Sequence, residues 1–316
     1  MHMSDALVSP VVGGVMWVSA LAIARSSAKK LEKEQSENLP LMGVAGAFVF
    51  AAQMINVAIP GTGSSGHLGG GLLLAALLGP EAAFLILFAV LFIQALFFAD
   101  GGLLALGCNV MNMGFFPAFV AYPLLRKALS TKQSIPRLRI MTAAILAVEL
   151  GAVGVVFETA LSGLAALDWK PFLVAFLPIH LLIGILEGLV TVSIITFLVP
   201  IKSDLFPEHK PSVSTGKKWI GAIGLVIALA IAGIGSRYAS AHPDGLEWAL
   251  SKAQFTEATI PDIQTKLAPF PDYQSKTKTD ESSSKAGLVG VLITLAALTG
   301  LTLFVKHRSS RSSSSP

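Results

Sequence analysis

The chain opens Met1-His2, and such a start offers three nitrogens in succession: the free α-amine, the His2 amide and the His2 imidazole. A metal ion held by all three closes a five-membered ring and then a six-membered one. A second imidazole would complete a planar N4 set, a geometry that suits Ni(II) or Cu(II) and is unusual for zinc. The histidine placed to supply it is His67, in the run Gly61-Thr62-Gly63-Ser64-Ser65-Gly66-His67-Leu68-Gly69-Gly70-Gly71. His2 is too bulky for ordinary removal of the initiator methionine, so Met1 is expected to persist, with its amine free once any formyl group is gone. Chain starts are commonly frayed and inert. The metal reading therefore depends on whether the elements in between bring His2 and His67 to one place.

Composition sets the medium in which those elements work. Of 316 residues, 53% are hydrophobic and only 13% are charged, against roughly 25% charged in soluble domains. Mean hydropathy is +0.70. This is the composition of a polytopic membrane protein, all-α, and its net charge of +4 is the signature of basic cytoplasmic loops and not of nucleic-acid binding. The single cysteine, Cys108, excludes an internal disulfide. Residues 1–15 contain no Lys or Arg, which argues against a cleaved signal peptide.

Orientation follows from the basic residues. An apolar stretch at residues 6–24 is followed by Arg25, Lys29, Lys30 and Lys33, so the N-terminus is expected outside. A second span at 41–59 returns outward and delivers His67 to the same face as Met1 and His2. Residues 68–78 are too few for a full span and read as a short helix shielded by protein. Gly79-Pro80-Glu81 makes an inner turn, 82–99 comes out, and Asp100-Gly101-Gly102 makes a tight outer turn. Spans at 103–125, 140–161 and 172–199 complete seven segments; the loop between the first two of these carries Arg126, Lys127, Lys132, Arg137 and Arg139 with no acid. The expected domains are a seven-helix bundle at 1–200, a cytoplasmic linker at 201–218, and a two-span module at 219–316. That module has spans at 219–234 and 286–305 around a polar outer loop, and a serine-rich basic tail.

Ionisable residues inside spans are functional candidates by default. Here they are Glu149, Glu158, His180 and Glu187. His180 and Glu187 stand two helical turns apart and share a face, as expected of residues that support or gate a site, or of an interhelical hydrogen bond. Asn56, Gln53, Gln94, Asn109 and Asn112 could orient the N-terminal strand or His67, or serve interhelical packing. No phosphate-cradling Gly-Lys-Ser/Thr sequence follows the glycine run, so any ATP must be hydrolysed by a partner. Two other classes stay open at this point: an intramembrane enzyme using His180, Glu187 or Glu149, and a self-sufficient secondary carrier.

Met1-His2, Gly63-Ser64-Ser65-Gly66-His67-Leu68, Gly79-Pro80-Glu81, Gln94 through Asp100-Gly101-Gly102, Asn109 through Gly114, and His180 through Thr191 occur in an order that resembles the substrate-binding (S) component of nickel/cobalt energy-coupling-factor transporters. The resemblance spans roughly residues 1–200. Pro243-Asp244-Gly245-Leu246-Glu247 resembles the small two-span accessory subunit of the same systems, fused here to the first module. The resemblance implies a metal-ligand role for Met1, His2 and His67; the candidates to support them remain the polar residues Asn56, Gln94, Asn109, His180 and Glu187. It implies capture of Ni(II) or Co(II) outside a prokaryotic cytoplasmic membrane, no resident cofactor, and uptake driven by a transmembrane coupling protein and two ATPases. Met3-Ser4-Asp5-Ala6-Leu7 departs from the family, whose members usually carry Gly-Phe or a similar pair after the acid.

Overall fold

A helix needs about 20 residues to cross a bilayer, so length and apolar content sort this chain's elements. In the computed structural model, which describes residues 1–34, 41–129, 136–163, 167–201, 217–255, 263–273 and 282–312, six helical runs are long and apolar enough. They are Pro10–Lys33, Pro80–Phe98, Leu106–Arg126, Arg137–Leu161, Trp169–Leu198 and Ser283–His307. The corresponding elements are α1 (Pro10–Glu34), α4 (Pro80–Phe98), the continuous run of α5 (Leu106–Val110), a π-helical segment (Met111–Ala121) and α6 (Tyr122–Leu129), then α7 (Arg137–Leu161), α8 (Trp169–Ile201) and α12 (Ser282–Ser312). Shorter are α2 (Leu41–Gln53), α3 (Gly71–Leu78) and α9 (Lys217–Gly233), with α10 (Gly245–Lys252) and α11 (Ile263–Leu267) between α9 and α12.

Side-chain distribution is inverted relative to a water-soluble bundle. Val11, Val15 and Val18 on α1, and Val153, Phe157 and Leu161 on α7, face outward, whereas Gln94, Asn112, Glu158, His180, Glu187 and Thr191 are buried. Apolar faces of this extent mark contact with lipid, and the interior polar groups are those a membrane protein keeps for function. The chain is a multi-pass membrane protein.

Several expected elements are redrawn. The first helix does not start at residue 6; Asp5–Leu7 form a 3-10 turn and α1 begins at Pro10, the residue whose missing N–H suits a helix start. The second span stops at Gln53, and residues 57–59 are not helical. Val57–Ile59 (β1) pair antiparallel with Ser64–Gly66 (β2), so a short hairpin interrupts the all-α plan. By length the first module has five crossing helices plus the 13-residue α2 and the eight-residue α3, where seven spans were expected. α3 is enclosed as anticipated, with seven of its eight residues buried. Within the fifth run Pro117 cannot donate to the helical ladder, and the ladder widens; Tyr122 N–H reaches the Pro117 carbonyl, five residues back.

The second module is wrapped onto the first. Gly43 and Gly46 on α2 let α12 approach closely: a Cβ at Gly43 would lie 2.8 Å from Thr299 Oγ1, and one at Gly46 would overlap Leu298. That glycine face is therefore filled by the chain's own α12. Described residues of the loop between α9 and α12, expected to be polar and outside, dock on the first module. Phe270 N–H donates to the Phe97 carbonyl at 3.0 Å, and Phe270 and Tyr273 stack on Phe98. The linker expected at 201–218 lies mostly outside the described residues, as do the last residues of the serine-rich tail.

Candidate metal centre

The N-terminal tripeptide is threaded into the bundle by a ladder of backbone contacts. Met3 N–H donates to Asn109 Oδ1 at 2.8 Å, and Asn109 Nδ2 returns to the Met3 carbonyl at 3.1 Å. The same carbonyl accepts from Gly102 N–H at 2.8 Å. Asn109, singled out in the sequence as a possible orienting residue, thus clamps the chain one residue beyond His2. The Met3 side chain is fully buried, its sulfur 3.8 Å from Asn112 Nδ2, which also donates to Glu158 Oε2 at 2.7 Å. Asp5 Oδ1 accepts from Ala105 N–H at 3.0 Å and seals the turn. Gly102 is required here, because a Cβ would overlap the Asp5 carboxylate. Gly102→Ala is expected to destabilise the fold by about 1–3 kcal/mol through overpacking, read as a lowered Tm of the purified chain.

With Met3 anchored, Met1 and His2 are held on either side of the site mouth. The Met1 amine donates to Asp244 Oδ2 at 3.2 Å, and His2 Nδ1 faces Asp100 Oδ1 at 2.7 Å. The His2 ring meets the His67 ring edge to face, centroids 5.2 Å apart. Residues separated by 65 positions in the chain are in contact, as the metal reading required. His67 Nδ1 lies 3.2 Å from the Leu68 carbonyl, a donor's contact that leaves Nε2 with the lone pair. Burial, then the neighbouring His2 and the Met1 amine, lower the His67 pKa to about 4. At neutral pH its imidazole is uncharged and able to coordinate. Asp100 is held at about 2: burial pushes it up, but the charge and hydrogen bond of His2, with a hydrogen bond from Tyr273, outweigh burial. Asp244 is likewise kept well below the usual carboxylate range, burial being overcome chiefly by the Met1 amine.

The residues proposed to support His67 divide into two groups. Glu187 is central: Oε2 accepts from Gly69 N–H at 2.6 Å and Oε1 from Gly70 N–H at 2.9 Å. Gln53 Nε2 donates to the Gly69 carbonyl at 2.8 Å. The loop just after His67 is thereby tied to α8 and α2, with Gly70 at φ +77°, the left-handed region glycine enters without penalty. His180 is fully buried; its Nδ1 donates to the Phe176 carbonyl at 2.8 Å, and its Nε2 has no hydrogen-bond partner among the described residues. Gln94 is buried near the end of α4, where its carbonyl accepts from Asp100 N–H at 3.1 Å. Asn56 instead joins the second module, its carbonyl accepting from Ser240 N–H at 2.7 Å. Glu149 is half-buried on α7, and no hydrogen bond to Met1, His2 or His67 involves it among the described residues.

Sequence reasoning treated Asp100 only as a turn former, and the outer loop only as polar. Both reach the site. Gln264 Nε2 donates to the Ala95 and Gly101 carbonyls at 2.7 and 2.8 Å, and Tyr273 donates to Asp100 Oδ2. Among the described residues no group of three or more His, Cys, Asp or Glu side chains is arranged to hold a metal ion.

Membrane helices gather around the N-terminal residues, with the His2 and His67 rings in contact beside Met1. Comparison with known proteins is specific. The profile described as "Cobalt uptake substrate-specific transmembrane region" matches residues 2–205, and that of the PDGLE domain matches residues 218–307. The chain belongs to that uptake family and carries a PDGLE domain in the same polypeptide. A putative fused nickel transport protein of Archaeoglobus fulgidus is 30% identical over 97% of this chain and 99% of its own length. A cobalt transport protein of Methanosarcina barkeri, described as putative, is 30% identical over 66% of this chain and 94% of its own. A crystal structure of a truncated transition metal transporter superposes with a TM-score of 0.55 at 32% identity, covering 64% of this chain and 99% of that one.

Proposed function

We propose that the chain captures Ni(II), or Co(II), on the outer face of the cytoplasmic membrane and serves its uptake as the substrate-binding component of an ATP-driven energy-coupling-factor transporter. The donors are the Met1 amine, the His2 amide and Nδ1, and the His67 imidazole; His2 Nδ1 faces Asp100 in this structure and exchanges that contact for the ion on binding. The observation that carries this reading is the contact of the His2 and His67 rings beside a seated Met1 amine. Nickel is preferred because four nitrogens in a plane suit low-spin Ni(II). The alternative is the same role with Co(II) for cobalamin synthesis. We read 1–200 as the metal-binding domain, 201–218 as its cytoplasmic linker and 219–316 as the accessory module, with the N-terminus outside. A transmembrane coupling protein and two ATPases would complete the machine, and no resident cofactor is required. An intramembrane enzyme is less well supported, since both oxygens of its candidate acid Glu187 are engaged by backbone amides.

The test is metal content, intact mass and visible spectrum of the purified full chain. The expected result is one Ni(II) per chain with a square-planar d–d band and an unblocked Met1. A chain without bound or bindable Ni(II) or Co(II), or one with a blocked amine that still binds, would overturn it. Because the amine and the His2 amide lose protons on coordination, binding should release roughly two protons per ion and weaken as pH falls. Calorimetry in buffers of different ionisation enthalpy measures that number. Glu187→Gln replaces an acceptor of two amides by a group with one oxygen, so the His67 loop loses a hold. Ni(II) affinity is expected to fall about 10–100-fold, the range for residues that orient ligands, checked by competition titration against a chelator.

A further inference from the structure

The PDGLE segment lies over the mouth of the site. The Pro243 carbonyl accepts from Ser65 N–H at 2.8 Å, and the His242 carbonyl from Ser65 Oγ at 2.8 Å. Asp244 bridges in parallel to Ser65, so an extended strap runs along β2 two residues ahead of His67. Gly245 rests on His180, where a Cβ would come within 3.0 Å of Cε1. Trp248 packs with Met1 against Ile179 and Ile183. Under this strap the Met1 and His2 side chains keep only 10% and 6% of their exposure.

Asp244 divides its two oxygens between two tasks. Oδ1 accepts from Leu246 N–H and Glu247 N–H, both at 2.8 Å, capping α10. Oδ2 takes the Met1 amine at 3.2 Å. One carboxylate therefore fastens the accessory module to a proposed metal donor. We infer that Asp244 is a positioning residue supplied by the accessory module, which closes the strap over the N-terminal amine and sets how fast the ion enters and leaves. This rests on the metal reading above. It adds to it that the second module is a wall of the site. The strap lies across the mouth, so loosening it quickens passage in both directions, whereas losing a ligand would quicken escape alone.

The experiment uses the full chain in nanodiscs with nickel sulfate as probe. Uptake is followed by stopped-flow absorbance and escape by an EDTA chase. Asp244→Asn keeps a good helix cap but removes the charge facing the amine. The expected result is that both rates rise roughly tenfold, the scale of a charge-assisted hydrogen bond, with affinity changed far less than either rate. Amide exchange of residues 245–252 should stay as in the native chain, showing that α10 survives. Glu247→Gln, which removes a neighbouring charge while keeping a side chain suited to the capping box, should leave both rates unchanged. Native rates in Asp244→Asn would overturn the inference while leaving the metal site standing. So would a faster escape with unchanged uptake, which would place Asp244 among the binding groups. A native chain that takes up no Ni(II) would overturn the metal reading, and the strap with it.

Discussion

Two glycines inserted ahead of Met1, behind a new initiator that is removed, are expected to abolish tight Ni(II) binding while leaving the bundle folded; a single glycine would create Gly-Met-His, which offers a planar four-nitrogen set of its own. The amine seen at Asp244 would then become an amide nitrogen, and the new amine would stand two residues away from the five-membered chelate. The anchoring contacts make the loss hard to repair. Met3 is fixed through both backbone groups by Asn109 and Gly102, and its side chain is wholly buried, so the chain cannot slide outward by two residues to restore the ring. The measurement is Ni(II) stoichiometry after desalting, with the native chain alongside and Tm as the control for folding. Retained stoichiometry and an unchanged d–d band would mean that the amine is not a donor, and would move the search inward to His180 and Glu187.

The parts of this arrangement that were legible in the sequence are those with a local or compositional cause. Apolar run lengths located α1, α4, α7 and α8. The Met-His start and the histidine in the glycine run named the residues that meet. The hairpin was illegible because Val57-Ala58-Ile59 simply continues the apolar run of α2; what ends the helix is the pairing of β1 with β2, a tertiary event. The 3-10 start was hidden in the same way, since only the close approach of Asp5 to Gly102 and Ala105 explains it.

Asp100 and Asp244 show a different limit. Asp-Gly-Gly is a turn signal in its own right, and nothing in its neighbourhood says that its carboxylate will face His2. Asp244 did carry a signal: Asp-x-x-Glu ahead of an apolar stretch is a capping-box pattern, and α10 starts there with both halves of the box formed. That pattern predicts a helix start within the polar loop. It cannot predict the second oxygen's partner, which lies 243 residues away. Contacts between the two modules are set by how α12 and α9 pack on α2, and single-chain periodicity carries no information about that packing.

His67→Ala is the second substitution expected to be decisive. Its imidazole is uncharged at neutral pH, and its Nδ1 contact with the Leu68 carbonyl leaves Nε2 as the coordinating atom. The loop should keep its shape without it, because Gly69 and Gly70 stay bonded to Glu187, and Gln53 still holds the Gly69 carbonyl. The variant therefore separates ligation from architecture. Residues that only orient ligands cost about 10–100-fold in affinity when changed, so loss of a ligand is expected to exceed about 100-fold and to abolish the planar-nitrogen spectrum. His180→Ala makes the comparison sharper. That ring is buried behind Gly245 with Nε2 unpartnered among the described residues, and if it only lines the site its loss should leave the spectrum's band position unchanged. Should His67→Ala bind as tightly as the native chain while His180→Ala fails, the fourth nitrogen belongs to α8, and the ion sits one layer deeper than the paired rings indicate.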